Sequence, residues 1–160
     1  MGHQGYLAVE GTSQGKFKGE GIREKWKGKI EFIEFAYELS APRDVATGQA
    51  SGKRQHKPVV ITKQWGAATP QLFQACAQAE VLKTVTFEFV STSKAGEEEV
   101  SHKITLTNAT VSNIKQYTSQ SAKHESSADM YELEDVSFTF EAISLEAVLH
   151  KTQATDSWVK

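Results

Sequence analysis

Cysteine is nearly absent. Cys76 is the only one in 160 residues, which rules out an intramolecular disulfide. It falls among alanines on a predicted helix, where a buried, inert thiol is expected. Long apolar runs are missing too: no segment approaches the roughly 18 consecutive apolar residues of a membrane-crossing helix. The opening residues, MGHQGYLAVEG, lack the basic region and apolar run of a secretory signal. Nor does charge of one sign prevail. Eighteen Lys and Arg against 20 Asp and Glu leave −2, which argues against a nucleic-acid binder or an anionic-membrane binder.

Sites for chemistry are equally scarce. The five histidines (His3, His56, His102, His124, His150) share no close ligand spacing, so no metal site is expected. His124 and Glu125 have no glycine-flanked serine elbow to serve. The glycines between Gly11 and Gly28 lack the Gly-Lys-Ser/Thr ending of a phosphate loop. The sequon at Asn108 reads as chance. The chain is therefore not read as an enzyme, and no cofactor is expected.

What remains is β patterning and one helix. At 160 residues the chain is long enough for a single domain, 1–160, with its own core. Over residues 30–39, Ile33, Phe35, Tyr37 and Leu39 alternate with Glu34, Ala36 and Glu38, as in a half-buried strand with the apolar set facing the core. Val59 and Ile61 open another strand after Pro58. Val85, Phe87 and Phe89 alternate with Thr84, Thr86 and Glu88. A turn is expected at Lys94 to Glu97. Beyond it, Val100, Ile104 and Leu106 are in phase and Ala109 and Val111 are not, which predicts a bulge at residues 107–109. Val136, Phe138 and Phe140 mark a later strand, and Tyr6, Leu7 and Val9 a first one. The helix runs from Thr69 to Ala79, with Thr69 as N-cap, Pro70 at the first position, and Leu72, Phe73, Cys76 and Ala79 at helical spacing. The fold class is mainly β: a compact antiparallel β-barrel with one flanking helix. Two polar stretches interrupt it, residues 41–57 and 118–129, and the first is long enough to suggest a functional loop. Trp26, Trp65 and Trp158 are read as core or interface anchors.

The order of these pieces carries a likeness. GYLAVEG, REKWKGKIEFIEFAYELS, SGKRQHKPVVITKQ, ATPQLFQACAQAEVLKTVTFEFVSTSKAGEEE, ITLTNATVSNI, LEDVSFTFEAISLE and the late DSW follow one another over nearly the whole chain. In this the chain resembles the Hcp (hemolysin-coregulated protein) family, the tube subunit of bacterial type VI secretion. The resemblance implies homohexameric rings stacking into a hollow tube that carries effectors, works with a spike protein and a sheath, and is secreted from the cytoplasm without a signal peptide. It implies no nucleic-acid partner and no membrane insertion.

On that reading residues 41–57 project and contact the next ring, with Arg43, Asp44, Gly48, Gly52, Lys53, Arg54 and His56 as the stacking set. Opposite charges at the two ends of the loop would fix register more than affinity. Glu34, Ala36 and Glu38 are expected to face the channel and its cargo. Two rival readings fit the composition: a monomeric small-ligand-binding β-barrel and a phage-type tail-tube subunit.

Overall fold

The computed structural model describes residues 4–19, 27–49, 51–119 and 131–157. Its strands are β1 (Gln4–Gly11), β2 (Gly15–Lys16), β3 (Ile30–Phe32), β4 (Glu34–Ala36), β5 (Leu39–Ser40), β6 (Gln55–His56) and β7 (Val59–Gln64), followed by helix α1 (Thr69–Ala77). Then come β8 (Leu82–Thr92), β9 (Glu98–Ser119), β10 (Tyr131–Thr139), β11 (Ala142–Ala147), a 3₁₀ turn (Val148–His150) and β12 (Thr152–Ser157). Every pairing is antiparallel, and the main sheet runs β2-β1-β8-β9-β10-β7-β4. The mainly-β class with one helix is thus as the sequence reads, but the ladder does not close on itself strand to strand. Its two ends are joined by the chain. β3 pairs with β1, β4 pairs with β7, and Ile33 is the corner between them.

That corner corrects one expectation. The alternation over residues 30–39 suggests a single strand with Ile33 and Leu39 inward, yet the two side chains are 45% and 50% exposed. Changing partners from β1 to β7 breaks the two-residue period, so Ile30 and Phe32 are buried before the bend and Phe35 packs on the core after it.

The spine is the 22-residue β9. One edge pairs with β8, while the other pairs with β11 as far as Thr107 and with β10 from Thr110. The change of partner falls at Asn108, whose φ of 50° is the left-handed region. The parity shift between Leu106 and Ala109 is therefore real, but it is a kink with β8 still in register. The register slips in the pairings of β9 lie elsewhere, between Phe89 and Val90 and between Ser137 and Phe138. The tight turn after β8 is where the sequence puts it: Gly96 holds φ at 85° and donates to the Ser93 carbonyl.

Leu7, Ile61, Leu72, Leu82, Val85, Phe87, Leu106, Val136 and Phe138 fill the core with no exposed surface. Phe87 meets Phe138 edge-on at 5.9 Å and Phe35 at 5.2 Å, a geometry that adds about 0.5–1.5 kcal/mol per pair beyond burial.

The helix differs from its expected form in two ways. Ala68 occupies the N-cap position and no side chain caps it. The Thr69 hydroxyl instead accepts from the Gly66 amide at 2.9 Å and donates to Glu134 at 2.9 Å. Leu72 and Ala75 face the sheet, whereas Phe73 is 62% exposed. Cys76 packs half-buried against the core.

Candidate functional site

Residues 41–49 and 51–54 do not wander. The chain leaves β4, passes Tyr37 and enters β5. It returns as β6, with Leu39 opposite His56 and Ser40 opposite Gln55. At the far end Asp44 organises the turn. Its carboxylate accepts the Ala46 amide at 2.7 Å and the Thr47 amide at 3.3 Å, its own amide donates to Gln49, and its carbonyl accepts from Gly48. The Ser51 amide donates to the Pro42 carbonyl. The result is a two-stranded ribbon carrying exposed Arg43, Asp44, Val45, Gly48, Gly52 and Lys53.

Arg54 and His56 are placed differently from these. His56 is buried, and both of its ring nitrogens are engaged: Nδ1 with the Tyr37 hydroxyl at 2.6 Å, Nε2 with Asp156 Oδ2 at 2.8 Å. Arg54 Nε donates to the same oxygen at 2.5 Å, and Arg54 Nη2 donates to the Ser157 carbonyl at 2.7 Å. Hydrogen bonds from Arg54 and then His56 hold the Asp156 carboxyl down to about 2. Burial, helped by the negative charge of Asp156, pushes the Tyr37 phenol up. Phe140 covers the group, its ring edge-on to His56 at 5.4 Å.

The other expected surface lies on β4, β7, β10 and β9. Cross-strand partners share a face, and Phe35, Ile61, Val136 and Ile114 form one row that packs toward the core. Glu34 therefore lies on the opposite face, in a row with Thr62, Asp135 and Lys115. Ala36 lies in the next, with Val60, Ser137 and Asn113. Thr62 Oγ1 donates to Asp135 Oδ1 at 2.8 Å, and the Tyr117 hydroxyl donates to the same oxygen at 3.1 Å. Glu38 is exposed but lies past the end of β4, where its carbonyl accepts the Lys57 amide.

A third feature has no counterpart in the sequence reading. Beyond the packed core, the same face of the sheet continues through Phe89, Ile104, Leu145 and Ala154 onto the β11–β12 hairpin and forms an open groove of about 800 Å³. Its lining is almost wholly apolar. The core proper, by contrast, is packed with fully buried side chains, Phe87, Leu106 and Phe138 among them.

Among the described residues no three His, Cys, Asp or Glu side chains are gathered to hold a metal ion, and no helix is long and apolar enough to cross a membrane. Trp65 is partly exposed, with its indole N–H on the Leu133 carbonyl at 2.7 Å. His3, Trp26, Trp158 and the serine-rich residues 120–129, His124 included, lie outside the described residues.

Comparison with known proteins decides what this arrangement belongs to. The family model for the type VI secretion system effector Hcp matches residues 6–146. The chain belongs to the Hcp family. It is 32% identical to the major exported protein of Pseudomonas aeruginosa, over 99% of this chain and 96% of that one. Among solved structures, the crystal structure of an Hcp protein superposes with a TM-score of 0.87 at 24% identity, covering 97% of this chain and 99% of that one. Secreted Hcp3 of Pseudomonas aeruginosa superposes with a TM-score of 0.79 at 28% identity, covering 98% and 99%. Hcp membership places the chain among the secreted tube proteins of type VI secretion, which are structural rather than enzymatic.

The sequence did not reveal Asp156 as the partner of Arg54 and His56. Asp156 stands about a hundred positions from the other two, and no local spacing marks such a meeting. The only signal was that SGKRQH and DSW both belong to the recurring pattern.

Proposed function

We propose that this chain is the single-domain subunit of a type VI secretion tube, 1–160, forming homohexameric rings that stack and carry effectors through the channel. It travels with the spike protein and within the sheath, and it leaves the cell through the type VI apparatus. The observation that carries this reading is the match to Hcp proteins along almost the full chain. Two surface features support it. The apolar groove on the β11–β12 hairpin is open core-like surface of the kind a neighbouring subunit covers. The braced ribbon of residues 41–54 offers Arg43 and Lys53 to a second ring, where charge would set register. Its partner surface is heterologous, so repetition builds a filament.

Within the ring, the outward face bearing Glu34 and Ala36 is the proposed channel lining, with Glu38 at its margin. A polar, hydrated surface there suits passage of folded cargo. Against the ligand-binding-barrel alternative stand the match to Hcp proteins along almost the full chain and a groove that opens at the edge of the sheet.

Deleting residues 44–52 tests the stacking arm. Rings of wild-type mass with no tubes under negative stain are expected; tubes of normal length would overturn the assignment. Reversing the charges of Glu34 and Glu38 tests the channel face. It should alter co-purification of effectors with rings, and unchanged cargo retention would remove these residues from the lining.

A further inference from the structure

The ribbon has a root as well as a tip, and only the root can aim it. β5 and β6 pair through just two residues each, and a two-stranded ribbon of that length has little stability of its own. Asp44 fixes the shape of the turn but leaves its direction open. Direction is set where β6 meets β12. Arg54 and His56 are two residues apart, so they project to the same side, and both grip one carboxylate oxygen of Asp156. Arg54 adds the Ser157 carbonyl, and Tyr37, at the entrance to β5, closes the set through His56 Nδ1. A neutral imidazole with its proton on Nε2 satisfies both neighbours: it donates to Asp156 and accepts from the Tyr37 phenol. The latch thus ties both strands of the ribbon to a strand of the main sheet.

We propose that Asp156 is a positioning residue for ring stacking: it latches the ribbon, through Arg54 and His56, in the pose that engages the next ring. The inference rests on the tube reading and reassigns Arg54 and His56 from contact residues to anchors. The contacts with the next ring then fall to the exposed Arg43, Asp44 and Lys53.

The test compares wild type with Asp156→Asn and Arg54→Gln, and with Asp156→Glu as the conservative variant. Three readouts are needed: ring mass by light scattering, tube counts by negative stain, and amide hydrogen exchange. For Asp156→Asn and Arg54→Gln the expected result is wild-type ring mass and core protection, at least tenfold faster exchange at ribbon amides such as Asp44, Ser51 and Lys57, and at least tenfold fewer tubes. Asp156→Glu should recover part of both losses. Uniformly faster exchange with loss of rings would mean a general stabilising role and would overturn the proposal. So would normal tubes despite a loosened ribbon, or ribbon exchange equal to wild type. Wild type that itself forms neither rings nor tubes would overturn the tube reading, and ribbon exchange would still decide whether Asp156 latches the ribbon.

Discussion

Lys63 Nζ lies 2.7 Å from Glu134 Oε2 inside the protein, with the two side chains 1% and 0% exposed. The pair joins β7 to β10 on the core side of the sheet beside the start of α1. It is not alone: the Thr69 hydroxyl donates to the same Glu134 oxygen, Gln116 Nε2 donates to the other at 3.1 Å, and Lys63 also donates to the Gln64 carbonyl. Glu134 is therefore satisfied on both oxygens, which is the condition under which a buried ion pair is tolerated. Thr69, expected as a helix cap, spends its hydroxyl here, so the helix is tied to the sheet by polar contacts as well as by Leu72 and Ala75.

Removing one partner strands the other. Glu134→Gln is expected to cost roughly 3–5 kcal/mol in urea unfolding. The paired replacement Lys63→Met with Glu134→Leu should cost far less than the sum of the single changes. Additive losses would show that the two groups do not act as a unit.

A second buried carboxylate governs a turn. Glu80 accepts the amides of Ser13 and Gln14, each at 2.8 Å, and Gln14 Nε2 at 2.9 Å. Burial pushes its pKa up, but the hydrogen bonds from Gln14 and Ser13 outweigh this and leave it below the ordinary value. A depressed folded value means that the contribution is present at neutral pH and is lost as the pH falls through that value. Gly11 makes room for this arrangement, since a Cβ there would meet Glu80 Oε2 at 2.2 Å. Gly11→Ala should destabilise by about 1–3 kcal/mol at pH 7. At a pH low enough to protonate Glu80, the difference from wild type should shrink, and thermal unfolding at the two pH values checks it.

The two neighbouring apolar residues of α1 separate cleanly. Leu72→Ala should cost about 2–5 kcal/mol, because Leu72 is fully buried. Phe73→Ala should change monomer stability by no more than about 0.5 kcal/mol. Urea denaturation of the two variants, under conditions that keep the chain monomeric, decides between this and a helix face that buries both.

Asp156 offers a direct titration. Its carboxyl is held at about 2 against an ordinary 3.8. Because the folded value is depressed, its contribution is full above the ordinary value and disappears as the pH drops through about 2. A carbon NMR titration should therefore find Asp156 titrating about two units below an unperturbed Asp. A midpoint near 3.8 would mean that Arg54 and His56 do not grip it.

The sequence made the strands legible where one face is buried and the other wet. The phases of Val85 and Phe87 and of Val136 and Phe138 hold because each strand keeps a single relation to the core. Legibility failed where a strand changes partner. Ile33 sits at such a corner, and periodicity contains no term for tertiary handover; at Asn108 the shift of parity was visible, but not the change of partner behind it. The ribbon of residues 41–54 was legible as a loop with a task, but its anchoring was not. Asp156 and Glu134 meet their partners across about a hundred and about seventy positions, and each partner, taken alone, reads as an ordinary surface charge.

The most direct test of the tube assignment is particle mass by light scattering on a sizing column, with negative-stain images of the same fractions. A species about six times the 17.7 kDa chain, with a central hole, is the expected result. A monomer that persists to several hundred micromolar, with no annular particles in the images, would contradict it.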